Sequence, residues 1–179
     1  MTTARRRTRE TTVRVEISTD DSSVDIATTI PFLDHMLVTL ARYAALGVCV
    51  SAEGDLPHHV SEDVAITLGA AVAARRSETA ARFGDRTVAM DDALVQCVLD
   101  AGGRSYYEGP LPSVRYDHWM RSFAEHARIT LHLRVLRGCD RHHIVEAAFK
   151  ALGFAMRDAM VETGMALGTK GAVTLEVDA

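Results

Sequence analysis

Twice in 179 residues the chain sets two adjacent histidines three positions ahead of a glutamate, as His58-His59-Val60-Ser61-Glu62 and as His142-His143-Ile144-Val145-Glu146. On an α-helix, positions i and i+4 share a face and neighbouring positions diverge by about 100°. His58 and Glu62 can then grip one metal ion while His59 points toward another, and His142, Glu146 and His143 repeat the arrangement. Upstream of each pair stands an Asp-His step, Asp34-His35 and Asp117-His118. The ligand set read from spacing is His35, His58, His59, Glu62, His118, His142, His143 and Glu146. Six imidazoles and two carboxylates without a thiolate suit octahedral ions such as Mn²⁺, with Fe²⁺, Co²⁺ or Zn²⁺ as alternatives, and argue against a structural zinc finger. The evenly divided set implies two ions, with positions left open for a substrate. Ligands aimed both ways from one helix favour sites shared across an interface.

His58 and His142 are 84 positions apart, and His35 and His118 are 83 apart. A common offset in two separate motifs marks an internal duplication. The segment TTVRVEIS alternates Val13, Val15 and Ile17 in the period of a half-buried strand, and SVDIATT does the same. Asp20-Asp21 between them predicts a hairpin. Pro31 opens a helix, PFLDHMLVTLARYA, followed by the strand LGVCVSAE and a helix from about His59 to Arg76. Gly84-Asp85 marks the seam. The second half reads as strand LVQCVLDAGG, strand-like SYYEGP, helix WMRSFAEHA, strand ITLHLRVL, long helix HHIVEAAFKALGFAMRDAMVETG and closing strand GAVTLEV. The expectation is an α/β (α+β) fold. It is one compact duplicated domain of two similar halves, 1–84 and 85–179, each a mostly antiparallel sheet with helices packed on one face.

A net charge of −4 argues against a nucleic-acid surface. The basic run Arg5 to Arg9 reads as a solvated arm. No apolar stretch approaches the ~20 residues of a membrane span, and the N-terminus lacks the apolar region of a signal peptide. Three scattered cysteines fit free thiols in a reducing cytoplasm, with Cys49 and Cys97 expected in the core.

The stretches PFLDHML, HHVSEDVAITLG, MDDALVQCVLDAGGRSY, RSFAEHARITLHLRVL, HHIVEAAFKA and GTKG, in that order, resemble imidazoleglycerol-phosphate dehydratase over almost the whole chain. The resemblance implies a cytoplasmic homo-oligomer of 24 subunits with two Mn²⁺ per subunit at subunit junctions. It also implies the conversion of imidazole glycerol phosphate to imidazole acetol phosphate in histidine biosynthesis. The eight residues above become its metal ligands. Arg82, Arg104, Lys150 and Lys170 fall at positions that surround the substrate phosphate, and Glu10 matches an acidic residue that reaches the reacting carbons. Glu10 would protonate or hold the leaving hydroxyl, and Glu146 or a metal-bound water would take the carbon-bound proton. Three residues that usually precede the first histidine pair are missing here, and Gly168 stands in place of a serine. Two other readings use the same ligands: a non-catalytic metal-binding shell, and a dimetal hydrolase acting on a related phosphorylated substrate.

Overall fold

The structure is a computed structural model that describes residues 1–19 and 23–167. The first half comprises strands β1 (Thr2–Arg7), β2 (Thr11–Ser18) and β3 (Val24–Ala27), helix α1 (Pro31–Ala44), strand β4 (Gly47–Gly54) and helix α2 (Pro57–Arg75). The second half repeats that order with β5 (Phe83–Met90), β6 (Ala93–Asp100), β7 (Tyr106–Glu108), α3 (Val114–Ala127), β8 (Thr130–Arg137) and α4 (Arg141–Ala159). Each half builds one four-stranded sheet, in the orders β1-β2-β4-β3 and β5-β6-β8-β7. Within each sheet two antiparallel pairings are followed by one parallel pairing, β3 with β4 and β7 with β8. The parallel pair is a strand–helix–strand unit, and its crossover helix, α1 or α3, carries the Asp-His step. This is the duplicated, mostly antiparallel α/β architecture expected from the sequence.

Two expectations about the first sheet are corrected. SVDIATT does not form a hairpin with TTVRVEIS. β3 lies on the far side of β4 and runs parallel to it, because α1 returns the chain in a crossover. The Asp20-Asp21 turn itself lies outside the described residues. Nor is the basic N-terminus a free arm. β1 pairs with β2 from Thr2↔Ile17 to Arg7↔Thr12. Arginines suit an edge strand, where charge discourages further strand addition while the backbone ladder is still satisfied. Arg6 Nε also donates to Asp63 Oδ1 at 2.7 Å, tying β1 to α2.

The four helices form the middle of a sandwich whose outer layers are the two sheets. They pack across the halves, α1 against α4 and α2 against α3, while α2 also lies on β1, β2 and β4 and α4 on β5 and β6. α2 and α4 are therefore apolar nearly all round below their first turns, as doubly covered helices must be. Val60, Val64, Leu68 and Val72 are buried on α2, and Ile144, Phe149, Leu152 and Met156 on α4. Trp119 of α3 is fully buried, stacked on Phe123 at 5.3 Å and tilted on Phe149 at 4.7 Å.

Both repeated phrases end on glycine, and the crossings explain why. A Cβ on Gly69 would stand 2.7 Å from the Phe123 carbonyl oxygen, and one on Gly153 2.8 Å from the Tyr43 Cβ. Each glycine lets a ligand-bearing helix touch the helix of the other half. Gly69→Ala and Gly153→Ala should each lower unfolding free energy by about 2 kcal/mol, despite alanine's better helix propensity, because the close contact must open. A denaturant midpoint at or above that of the wild type would contradict this.

Three smaller differences concern boundaries. α4 ends at Ala159 rather than at Gly164. The residues after it turn back to pair with the approach to β5, through Ala81 N–H to the Val161 carbonyl and Arg82 N–H to the Ala159 carbonyl. β5 had no strong alternation to announce it. Cys97 is buried as expected, but Cys49 sits on the outer face of its sheet, 3.6 Å from Ser23 Oγ, and Cys139 is exposed; all three thiols are free. The closing segment GAVTLEV lies outside the described residues. Among the described residues no helix is long and apolar enough to cross a membrane.

Candidate metal centre

Both histidine pairs occupy the first turns of their helices. Proline at the first position of α2 presets the backbone, and the Asp140 side chain caps α4 by accepting from His142 N–H at 2.7 Å. The Asp-His steps are anchored by their aspartates. Asp34 accepts from Thr28 N–H at 2.8 Å and from its hydroxyl at 2.5 Å, while Asp117 accepts from Leu111 N–H at 2.9 Å and from the Tyr107 hydroxyl at 2.6 Å. Each aspartate thereby fixes the helix turn from which its histidine projects.

The helix pairing across halves decides which ligands meet. His35 of α1 joins His142 and Glu146 of α4, and His118 of α3 joins His58 and Glu62 of α2. Each cluster thus draws on both halves instead of collecting the histidines of one half. Glu146 Oε2 lies 3.3 Å from His35 Nε2 and 3.1 Å from His142 Nε2. Glu62 Oε1 lies 3.2 Å from His118 Nε2, and its Oε2 lies 3.9 Å from His58 Nε2. The His58 and His118 rings stack at 5.3 Å.

The three separations of 3.1 to 3.3 Å fit donors of a shared ion. Donors about 2.1 Å from one cation lie roughly 3 to 3.5 Å from each other at right-angled or tetrahedral corners. His118 supplies a more pointed sign: its Nε2 is buried and makes no hydrogen bond among the described residues, although a carboxylate oxygen is 3.2 Å away. A buried polar atom without a partner is costly, and a cation among these donors would satisfy it. Three protein ligands per cluster, all nitrogen or carboxylate oxygen, leave coordination positions to be filled from elsewhere.

His59 and His143 belong to neither cluster. His59 Nδ1 is 2.8 Å from Asp55 Oδ1 and 3.5 Å from Glu10 Oε2. His143 Nδ1 is 2.7 Å from Asp92 Oδ1. The hydrogen bond His59 donates to Asp55 raises the His59 pKa, and the one His143 donates to Asp92 does the same for His143. Asp92 in turn is held down at about 2, first by the Cys139 backbone N–H and then by His143. His143 Nε2 also lies 3.3 Å from Asp91 Oδ2, so that ring faces a carboxylate at each nitrogen, while the His59 ring is fixed by Asp55 at Nδ1. Sequence reasoning missed Asp55 and Asp92. Asp55 stands four residues before His59 and was legible as a neighbour, whereas Asp92 is brought to His143 only by the turn between β5 and β6.

The basic residues divide. Lys150 Nζ donates to Glu146 Oε1 at 2.9 Å, one helical turn on, and so joins the α4 cluster. Burial works to raise the Glu146 pKa, but Lys150 and His35 outweigh it and the net shift is downward. Arg82 lies elsewhere. Its N–H bonds the last residue of α4, and its guanidinium makes paired hydrogen bonds to Asp100 at 2.6 and 2.8 Å. From Asp92, beside His143, to Asp100 is about 26 Å at ~3.3 Å per strand residue. From His142 to Ala159 is about 26 Å at 1.5 Å per helical residue. Arg82, and exposed Arg104 in the loop after β6, are therefore at the opposite end of the sheet from this chain's paired histidines. Lys170 and Gly168 lie outside the described residues.

The Arg82–Asp100 pair has its own consequence for stability. The hydrogen bonds from Arg82 hold the Asp100 carboxyl below its ordinary range. The pair's contribution is complete above about pH 4 and is lost as pH falls through the depressed value. Arg82→Met should cost about 1 kcal/mol at neutral pH, after screening of a partly exposed pair. Its urea midpoint should approach that of the wild type as the pH drops below about 4; a gap that persists would place the loss in the packing of Arg82 over the Phe83 ring.

The imidazoleglycerol-phosphate dehydratase family model matches residues 28–156, which span both clusters. The chain belongs to the imidazoleglycerol-phosphate dehydratase family. A relative so named from Salinibacter ruber is 44% identical over 174 residues, covering 88% of this chain and 86% of that protein. Another from Anaeromyxobacter sp. (strain Fw109-5) is 42% identical over 184 residues, covering 93% and 90%. The fold agrees. The crystal structure of the Pyrococcus furiosus enzyme superposes with a TM-score of 0.85 at 37% identity, covering 94% of this chain and 99% of that one. The Staphylococcus aureus enzyme superposes with 0.82 at 29% identity, covering 90% and 99%. Members of the imidazoleglycerol-phosphate dehydratase family are lyases, and this chain is a dehydratase with residues grouped as a metal centre requires.

Proposed function

We propose that this chain dehydrates imidazole glycerol phosphate to imidazole acetol phosphate in cytoplasmic histidine biosynthesis, with two Mn²⁺ per subunit held at the junctions of a 24-subunit homo-oligomer. The observation that carries the reading is the split of the ligands. His35, His142 and Glu146 form one three-donor cluster and His58, Glu62 and His118 the other, while His59 and His143 belong to neither and stand near the surface beside carboxylates. Outward imidazoles on one subunit match incomplete clusters on the next, and each ion would gain a fourth protein ligand in this way.

When bound, the ions supply Lewis acidity and a template for the substrate's imidazole ring. The chain's own groups do the rest. The proton to be lost sits on a carbon that keeps its own hydroxyl, and it is not acidic until the hydroxyl on the neighbouring carbon, next to the ring, departs, so a carboxylic acid at that leaving oxygen is needed first. Glu10 suits this role, because it is exposed, sits in the turn between β1 and β2, and reaches within 3.5 Å of outward-facing His59. Glu146 has one oxygen on two imidazoles and the other on Lys150, which fits a ligand better than a proton carrier. The phosphate end falls to Arg82, Arg104, Lys150 and Lys170. Because Arg82 is about 26 Å from this chain's paired histidines, it would serve a site whose ions lie beside another subunit, and Arg104 in the loop after β6 would join it there. Anchoring the remote phosphate orients the ring and the carbons that react.

The deciding experiment supplies imidazole glycerol phosphate to purified, Mn²⁺-loaded protein and follows the ketone product. Turnover that stops on chelation and returns with Mn²⁺ is expected. Fully metallated, assembled protein that produces no ketone would overturn the reading.

A further inference from the structure

The duplication is not perfect where the ions would sit. The offset that matches Glu146 with Glu62 matches Lys150 with Ile66. Lys150 is held in place, its Nζ 2.9 Å from Glu146 Oε1, 2.9 Å from the Met90 sulfur and 5.8 Å from the centre of the Tyr43 ring. Glu146 thus turns one oxygen to the ammonium and only the other to His35 and His142. Glu62 turns its two oxygens to His118 and His58, and among the described residues it makes no ion pair with lysine or arginine. The side chains differ in exposure too, 8% for Glu146 and 35% for Glu62.

We propose that the two metal positions are unequal, and that the Glu146 position binds a divalent cation at least about tenfold more weakly than the Glu62 position because Lys150 occupies half of its carboxylate. This rests on the metal-dependent reading above and deepens it. Two effects act in the same direction. Glu146 can offer one oxygen where Glu62 can offer two. The ligand set with Lys150 carries no net charge, whereas the Glu62 set carries one negative charge. An ammonium about 5 Å from a divalent ion, at an effective dielectric near 20, opposes binding by more than two powers of ten before screening. Burial of Glu146 strengthens its pull on the ion but strengthens the ammonium's repulsion equally. The chain would load in order, the α2–α3 position first and the α1–α4 position second.

The test titrates the metal-free full chain with Mn²⁺, by calorimetry and by electron paramagnetic resonance of the free ion. Two classes of one ion per chain are expected, at least about tenfold apart. Glu146→Gln should remove the weak class and Glu62→Gln the tight one. Lys150→Met should tighten the weak class by about tenfold or more, and Lys150→Arg should leave it weak. A single class, a weak class that disappears with Glu62→Gln, or a weak class unmoved by Lys150→Met would overturn the proposal. A wild-type chain that binds no Mn²⁺ would defeat the metal reading itself, whereas two indistinguishable sites would defeat only their inequality.

Discussion

His143→Ala and His59→Ala should each abolish dehydration, by about a thousandfold or more, and lower the Mn²⁺ held per chain, while far-ultraviolet circular dichroism stays that of the wild type. Both imidazoles are on the surface of the subunit, about 29% exposed, and neither packs in the core. Their removal therefore costs little folding energy. What is lost, on the proposed reading, is a metal ligand whose ring a carboxylate fixes at Nδ1. Loss of one ligand from a four-ligand site weakens binding steeply, and a site that must hold an aromatic ring in register tolerates little displacement. His126 and His132 provide the contrast. His126 bonds the Ser122 carbonyl within its own helix, and His132 lies against Tyr106 on the outer face of the second sheet. Alanine at either should leave activity and metal content near normal. Full activity and full metal content in both His59→Ala and His143→Ala would remove these two residues from the centre.

The candidate ligands stood out because duplication wrote them twice, and a repeated spacing separates a site from a chance pair of histidines. Which of them meet was not legible. His35 and Glu146 are 111 residues apart and meet only because α1 packs on α4 through the opening left by Gly153. Nothing local distinguishes that pairing from one between α1 and α2. The same reason hid Asp92, which reaches His143 across 51 residues. Strand pairing failed where charge and adjacency misled. Arg5 to Arg7 look solvated, yet an edge strand needs only its backbone bonded. β2 and β3 follow one another with alternating patterns, yet the crossover through α1 carries β3 beyond β4. The alternation of Val13, Val15 and Ile17 told which face is buried, and that expectation held because burial is a property of one strand and pairing is not.

Chelation should take the proposed homo-oligomer apart. If each ion joins a three-donor cluster on one subunit to His59 or His143 of another, metal is a subunit contact, and its binding free energy is part of the association free energy. Wild-type protein treated with a strong chelator should elute from a sizing column as a species several-fold smaller, and Mn²⁺ should restore the large one. The isolated chain should survive that treatment folded. Its core runs through both sheets and all four helices without any metal ligand at its centre; Trp119, Phe123 and Phe149 fill the middle, and the ligands lie at the helix ends. Loss of size without loss of secondary structure is thus the expected signature. His59→Ala and His143→Ala should imitate the chelator even with Mn²⁺ present, because each removes the half of a bridge that reaches outward. Chelated protein that keeps its full size would place both ions within a single chain. His59 and His143 would then need another explanation for facing away from the clusters.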